Sequence, residues 1–471
     1  MLRETALCRR LSPLQSAAAF VLLVGPPVAM LAAPDATAMT LGLALAFVFL
    51  FSAAWKACLV AATLRWRPPA ALPARGPLPR YTILAALYDE GPVVGQLVRR
   101  LAAIDYPANR LEGFLILEEA DAATRAAVAR VRLPKWLRVI IAPPGCPQTK
   151  PRALNVALEQ ATGELLTVYD AEDEPDPHQL REAAARFAAD AGKRIAALQA
   201  PLRIRCRPGG ATPLLDQQFA AEYAALFEVA LPGATRLGLP FPLGGTSNHF
   251  RVEALRAVGG WDSWNVTEDA DLGFRLWRHG WTLGVLTRPT WESPPGAFRN
   301  WLPQRTRWLK GYMQTWGVHT RRVSGLGWRG GFSLVATLGL GLASAAAHAP
   351  SMLWLLGSLI ALGFGGDLHG PGLTLSVLIL GSATAWLTCL LGARRAGVRY
   401  GPVTMMLAPA YWALLTLAWG QAVWRLIREP FFWDKTPHEP DEPAVAVATP
   451  ALDAHDLVGL SATHAAPEPV A

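Results

Sequence analysis

Apolar residues are concentrated at the two ends of the chain, and polar and charged positions break up the middle. Residues 14–33 and 38–64 are long enough, at about 20 apolar residues each, to predict two membrane-crossing helices. Gly25-Pro26-Pro27 predicts a kink in the first, and Lys56 lies close enough to the end of the second for its ammonium to reach the interface. A cleaved leader competes for the first stretch, but a second apolar stretch following within a few residues argues against it. Residues 331–349, 350–365, 373–391 and 405–427 predict about four further spans, the second of them short for a bilayer.

The middle alternates short apolar runs with helical patterns. Strands are expected at 81–87, 114–117, 136–142, 164–168 and 195–204, and helices at 93–101, 153–160, 178–189, 212–229 and 301–316, with another opening near Thr267. Such alternation predicts an α/β domain with a mostly parallel sheet, in which ligands collect at the carboxyl ends of the strands. Tyr88, Glu90, Glu118, Lys150 and Asp170 all fall at or near such ends.

The most informative stretch is Tyr169-Asp170-Ala171-Glu172-Asp173-Glu174-Pro175, a knot of carboxylates directly after an apolar run. Acids this crowded repel unless a hard divalent cation, Mg²⁺ or Mn²⁺, sits among them with a phosphate-bearing ligand. A solvated acidic turn opening a helix is the other reading. Thr267-Glu268-Asp269 is likewise either chemistry or a helix cap. Gln304, Arg307 and Trp308 share one helical face, where they could grip a diphosphate and stack a sugar. The same segment, with Trp301, Trp308, Tyr312 and Trp316 along one side and Arg305 and Lys310 elsewhere, also suits a helix anchored in the membrane interface.

Charge narrows the partners. The net charge is +8, although six acids and no Lys or Arg lie beyond residue 438. A basic membrane protein suits anionic lipid head groups and phosphorylated substrates, and nucleic acid is not expected as a partner. Arg3, Arg9 and Arg10 place the N-terminus in the cytoplasm by the positive-inside tendency, and two spans return the chain to that side. Five scattered cysteines imply neither a disulfide framework nor a zinc site.

With Tyr88-Asp89-Glu90, Lys150-Pro151-Arg152, Asp170-Ala171-Glu172-Asp173, Thr267-Glu268-Asp269 and Gln304-Arg305-Thr306-Arg307-Trp308 in this order, the chain resembles membrane-embedded family-2 glycosyltransferases such as cellulose synthase and bacterial exopolysaccharide synthases. The resemblance implies a GT-A-like nucleotide-sugar-binding domain in the inner membrane with its catalytic domain in the cytoplasm. It implies a UDP-sugar donor near Tyr88, Glu90, Glu118, Lys150 and Asp170, and a metal on Asp170 with Glu172 or Asp173. Catalysis would fall to Asp269 as general base, with Glu268 beside it, and to Gln304, Arg307 and Trp308 at the acceptor. The reaction implied is inverting transfer to a growing β-linked glycan exported through the bundle, with export or accessory envelope proteins as partners. Single addition to a lipid carrier and a non-catalytic transporter or scaffold are the alternatives. The expected divisions are a helix pair at 1–64, a juxtamembrane linker at 65–80, the glycosyltransferase domain at 81–297, interfacial helices at 298–330, a bundle at 331–429 and a largely disordered tail at 430–471.

Overall fold

The computed structural model describes residues 5–7, 11–64, 77–205, 213–365, 371–433, 435 and 440, with side chains omitted for 371–374. Most of the expected linker and tail lies outside these residues, as do Arg3, Arg9 and Arg10.

Ten strands form two sheets: β1 (Tyr81–Leu87), β2 (Leu111–Glu118), β3 (Leu137–Ala142), β4 (Leu165–Val168), β5 (Glu174–Pro175), β6 (Ile195–Gln199), β7 (Leu202–Ile204), β8 (Asn248–Arg251), β9 (Thr282–Val285) and β10 (Thr290–Glu292). The main sheet has the order β3-β2-β1-β4-β8-β6-β9. β1 runs parallel to β2 and β4, with Tyr81 opposite Leu111 and Leu165, and β8 alone runs antiparallel to its neighbours. Strands β1 and β2 are covered on both faces, so they read as continuous apolar runs instead of alternating ones. The expected strand 195–204 is two strands, because Pro201 supplies no N–H and the chain leaves the main sheet there. β7 then joins a small sheet, β5-β10-β7.

Five helices are long and apolar enough to cross a membrane among the described residues: Pro13–Ala32, Pro34–Leu64, Gly327–Gly363, Leu375–Ala396 and Pro402–Arg428. Two precede the α/β domain and three follow it, where about four were expected. The difference lies at Pro350, which does not separate two spans. Pro350 leaves a carbonyl without its helical donor, and the Thr416 hydroxyl bridges the helix beside it, accepting from Ala349 N at 3.1 Å and donating to Ala345 O at 2.7 Å. The helix therefore runs through.

Both ends of the helix Pro402–Arg428 are tied to residues that precede the last three membrane-length helices, Gln217 at one end and Lys310 and Gln314 at the other. At its start, Thr404 Oγ1 bonds Gln217 Oε1 at 2.7 Å. Just past its end, Lys310 Nζ donates to the carbonyls of Glu429 and Phe432 at 3.1 and 2.8 Å, and Gln314 Nε2 donates to Pro430 O at 3.0 Å.

Candidate active site

Strand ends, one glycine loop and two helices converge on a cavity of about 760 Å³. Tyr88, Glu90, Glu118, Lys150, Asp170, Glu172, Glu268, Asp269, Gln304, Arg307 and Trp308 all line it. Asp170 and Asp269, 99 residues apart in sequence, thus open onto one space. Of the candidate site residues named from sequence, only Asp173 does not line it.

Asp170 follows β4 and meets Lys150 Nζ, at the start of the helix Lys150–Gln160; that ammonium also donates to Gly245 O at 3.0 Å. Burial pulls the Lys150 pKa down, but Asp170, Glu268 and Asp173 more than offset it and raise it overall. Gly245 has φ +75°, a left-handed geometry that favours glycine, and a Cβ there would stand 3.5 Å from Asp269 Oδ2. The glycine loop thus brings the Lys150–Asp170 pair and Asp269 onto the same wall.

Asp173 faces inward and is wholly buried. Its Oδ2 accepts from Asp170 N at 2.7 Å and from the Thr246 hydroxyl, so it braces the turn that presents Asp170. Burial, then Asp170 and Glu172, raise its pKa well above the usual carboxylate range. Asp170 and Glu172 thus line the cavity, and Asp173 does not. No group of three His, Cys, Asp or Glu side chains among the described residues could hold a metal ion. Two carboxylates completed by phosphate oxygens fit Mg²⁺ or Mn²⁺ bound with its substrate.

Behind this turn, the Tyr81 hydroxyl bonds His249 Nδ1 at 2.6 Å, and His249 Nε2 and the Tyr169 hydroxyl meet Gln179 Oε1 at 3.0 and 2.8 Å. Burial pulls the His249 pKa down to about 3, so the ring is neutral and can donate on one side while accepting on the other. This network joins β1, β8 and the helix Gln179–Ala189 beneath the acidic turn.

Glu268 and Asp269 begin the helix Glu268–Arg278. Burial, then the neighbouring Asp269, pushes Glu268 up to about 8, and burial pushes Asp269 up to about 6. Both carboxyls of the pair are thus held above the usual carboxylate range, and they titrate as a pair.

The helix Phe298–Arg321 presents Gln304, Arg307 and Trp308 to the cavity. Gln304 Oε1 and Arg307 Nε are buried with no protein hydrogen bond. The expected interfacial placement of Arg305 and Lys310 is corrected, because both are buried and bonded within the protein. Arg305 pairs with Glu222 and lies over the rings of Phe219 and Trp308, 4.9 and 4.6 Å from their centroids. Lys310 holds the chain turn after the last helix.

Several cavity residues escaped the sequence reading. Tyr223 and Phe227 come from the helical stretch after Pro213, and Glu292 from the end of β10. Phe431, Phe432, Trp433 and Lys435, expected to belong to the tail, also line the cavity. Arg307 lies 4.5 Å from the Trp433 ring centroid, and Lys435 Nζ lies 3.3 Å from Glu90 Oε1. For Glu292 a signal existed, an acid at a strand end before prolines, as at Asp170. For Phe431 to Trp433 the only signal was a cluster of aromatics after an apolar stretch.

The family model described as Glycosyl transferase family group 2 matches residues 165–427, and that of Glycosyl transferase family 2 matches residues 82–206. The chain is 28% identical over 289 residues to a beta-monoglucosyldiacylglycerol synthase of Synechocystis, covering 59% of this chain and 58% of that one. It is 25% identical over 256 residues to the cellulose synthase 1 catalytic subunit of Komagataeibacter xylinus, covering 54% and 33% respectively. The chain spans a little over half the length of the first of these relatives. Among solved structures, the mannosyltransferase PcManGT from Pyrobaculum calidifontis, in complex with GDP-Man and Mn²⁺, superimposes with a TM-score of 0.55. That likeness, at 19% identity over 81% of this chain and 99% of the other, extends to the GT-A-like fold.

Proposed function

The chain belongs to glycosyl transferase family group 2, and from that premise we propose that it transfers a hexose, with inversion, from a nucleoside-diphosphate sugar to a lipid-borne acceptor at the membrane surface. The observation that carries this reading is the common cavity of Asp170, Lys150, Asp269, Arg307 and Trp308. UDP-hexoses are the donors to test first, since the site follows the order of motifs in the UDP-sugar enzymes it resembles.

The ionised Asp269 takes the proton from the acceptor hydroxyl as that oxygen forms its bond to the anomeric carbon. The bond from that carbon to the diphosphate breaks at the same time, on the opposite face, so an α-linked donor gives a β-linked product. Such general-base help contributes about 10² to 10⁴-fold. Lys150 and Arg307 supply positive charge where the departing diphosphate gathers negative charge. A divalent cation held by Asp170 and Glu172 would offset more of that charge when bound. Trp308 offers an apolar face to a sugar ring, and Phe431, Phe432, Trp433 and Lys435 add to the cavity wall.

The acceptor reading departs from the exported polymer expected from sequence. Among the described residues lining the cavity, none belongs to residues 11–64 or 327–428, which hold the membrane-length helices. Tyr223, Phe227, Trp308 and Tyr312 give the cavity an aromatic lining. This favours a lipid entering from the membrane surface over a glycan threaded through the bundle, and the Synechocystis relative is named for such a product. Polymer synthesis retains the support of similarity to the cellulose synthase subunit. The cell membrane, with the cavity on the cytoplasmic side where nucleotide sugars are made, is the corresponding location, and no export partner is required.

The test is to incubate purified protein in bilayer discs containing diacylglycerol with radiolabelled UDP- and GDP-hexoses and Mn²⁺. The expected product is a solvent-extractable lipid carrying one sugar, with release of the nucleoside diphosphate. Labelled polymer that stays in the aqueous phase overturns the acceptor assignment, and an absence of transfer or hydrolysis with every donor overturns the enzyme reading.

A further inference from the structure

The mechanism above gives Glu292, one of the carboxyls lining the cavity, no task. Glu292 ends β10, is only 8% exposed and lines the cavity, yet its side chain makes no hydrogen bond or ion pair with any described residue. An acid buried to that extent ordinarily has a partner, because an unpaired one forfeits its hydration. The charged groups acting on it are chiefly repulsive, Asp173, Glu172 and Asp170, and the attractive one, Lys150, already holds Asp170 and Gly245 O.

Its backbone is fixed on two sides. Thr290 and Trp291 pair with Pro175 and Glu174 of β5, and all three β10 residues pair with Leu202, Arg203 and Ile204 of β7. Glu292 O accepts from Arg205 N at 2.9 Å. The carboxyl is thus delivered into the cavity by a rigid element, beside the acidic turn and also within electrostatic reach of the Tyr223 ring.

The chemistry of that place selects the ligand. A diphosphate would be repelled by yet another acid, and the nucleotide end of the cavity has its own acids in Glu90 and Glu118. The part of the donor that is neutral and rich in O–H donors is the hexose, whose neighbouring hydroxyls suit the two oxygens of one carboxyl. We propose that Glu292 binds the transferred sugar through its ring hydroxyls and so sets which hexose the enzyme accepts, an inference that rests on the sugar-transfer reading above.

The experiment compares wild type, E292A and E292Q by calorimetry in detergent with Mn²⁺, using UDP, GDP and their hexose derivatives, after thermal unfolding has shown each variant to be folded. The wild type should bind a nucleotide hexose, and E292A should weaken that binding by about 10 to 100-fold while leaving the free nucleotide within about 2-fold. E292Q, which keeps one carbonyl oxygen, should fall between the two. A donor lacking the contacted hydroxyl should be discriminated against by the wild type and not by E292A. Equal loss of free nucleotide and nucleotide-sugar binding in E292A would place Glu292 on the metal or diphosphate and overturn the proposal. Unchanged constants, or a shift confined to the acceptor KM, would overturn it too, while leaving sugar transfer intact. If the wild type binds no nucleotide hexose at all, the sugar-transfer reading fails and this proposal with it.

Discussion

Arg305 and Glu222 form a two-pronged ion pair between two helices, Nη1 to Oε1 at 2.8 Å and Nη2 to Oε2 at 2.5 Å. Tyr411, from a third helix, adds its hydroxyl to both partners, 3.0 Å from Arg305 Nη2 and 2.7 Å from Glu222 Oε2. The guanidinium held in this way packs against both Phe219 and Trp308, 4.9 and 4.6 Å from their ring centroids, and so buttresses the Trp308 ring that lines the cavity. Lysine cannot reproduce the fork. Arg305→Lys should therefore raise the acceptor KM by about 10-fold with little change in donor binding, and lower stability by about 1.5–3 kcal/mol. Steady-state kinetics with each substrate varied in turn, together with thermal unfolding, would show this, and an equal loss for donor and acceptor would argue against it.

The acid limb of the pH–rate profile should report Asp269. A general base works only when deprotonated, and burial pushes this carboxyl up to about 6, so the rate should climb as pH rises through about 6. Asp269→Asn should cut kcat by about 10² to 10⁴-fold and abolish that limb in whatever activity remains. A variant that keeps wild-type turnover would remove Asp269 from the chemistry.

Two neighbouring acids should behave differently toward Mn²⁺. Glu172 opens to the cavity, whereas Asp173 is spent on Asp170 N and the Thr246 hydroxyl. Glu172→Ala should weaken Mn²⁺ binding in the presence of nucleotide by about 10-fold or more, read by the paramagnetic signal of free Mn²⁺. Asp173→Asn keeps an acceptor for the turn, so it should leave the metal affinity nearly unchanged and show its effect in thermal unfolding.

Gly311 lies where the helix Phe298–Arg321 crosses the start of the Thr267-Glu268-Asp269 segment. An added Cβ would stand 2.7 Å from Thr267 Cβ and closer still to its hydroxyl. Gly311→Ala should force the two elements apart, lowering stability by about 1–3 kcal/mol and reducing kcat. Gly317, on the same helix, has open space around its Cα, so Gly317→Ala should be neutral or slightly stabilising.

Much of the domain was legible because its signals are local. The run from Tyr81 to Leu87 stands out between Arg80 and the polar turn at Tyr88-Asp89, and the structure places β1 there. The elements meeting around Asp170, Lys150 and Asp269 were legible as motifs because their spacing survives in one dimension. The direction of a carboxyl was not: Glu172 and Asp173 differ by one residue, and only the position of Thr246 turns Asp173 inward. Pro350 looked like a break because the hydroxyl that spans it, on Thr416, accepts from Ala349 N across 67 residues of chain. Glu292 joins the site through the small sheet, and Phe431, Phe432 and Trp433 join it beside the carbonyls that Lys310 holds, contacts that no periodicity records.

The tethers at both ends of the helix Pro402–Arg428 decide the parity of the membrane topology. Five crossings would be an odd number and would leave the two chain ends on opposite faces. From the bonds of its first turn to Gln217 and of its exit to Lys310 we infer that this helix lies along the surface, which makes the count even. On that reading Arg394, Arg395 and Arg399 would share a side with the cavity, in keeping with the usual bias of cations around a bilayer. Single-cysteine variants at Val403 and Ile427 should react with an impermeant maleimide from the same face, and one at Leu362 from the other.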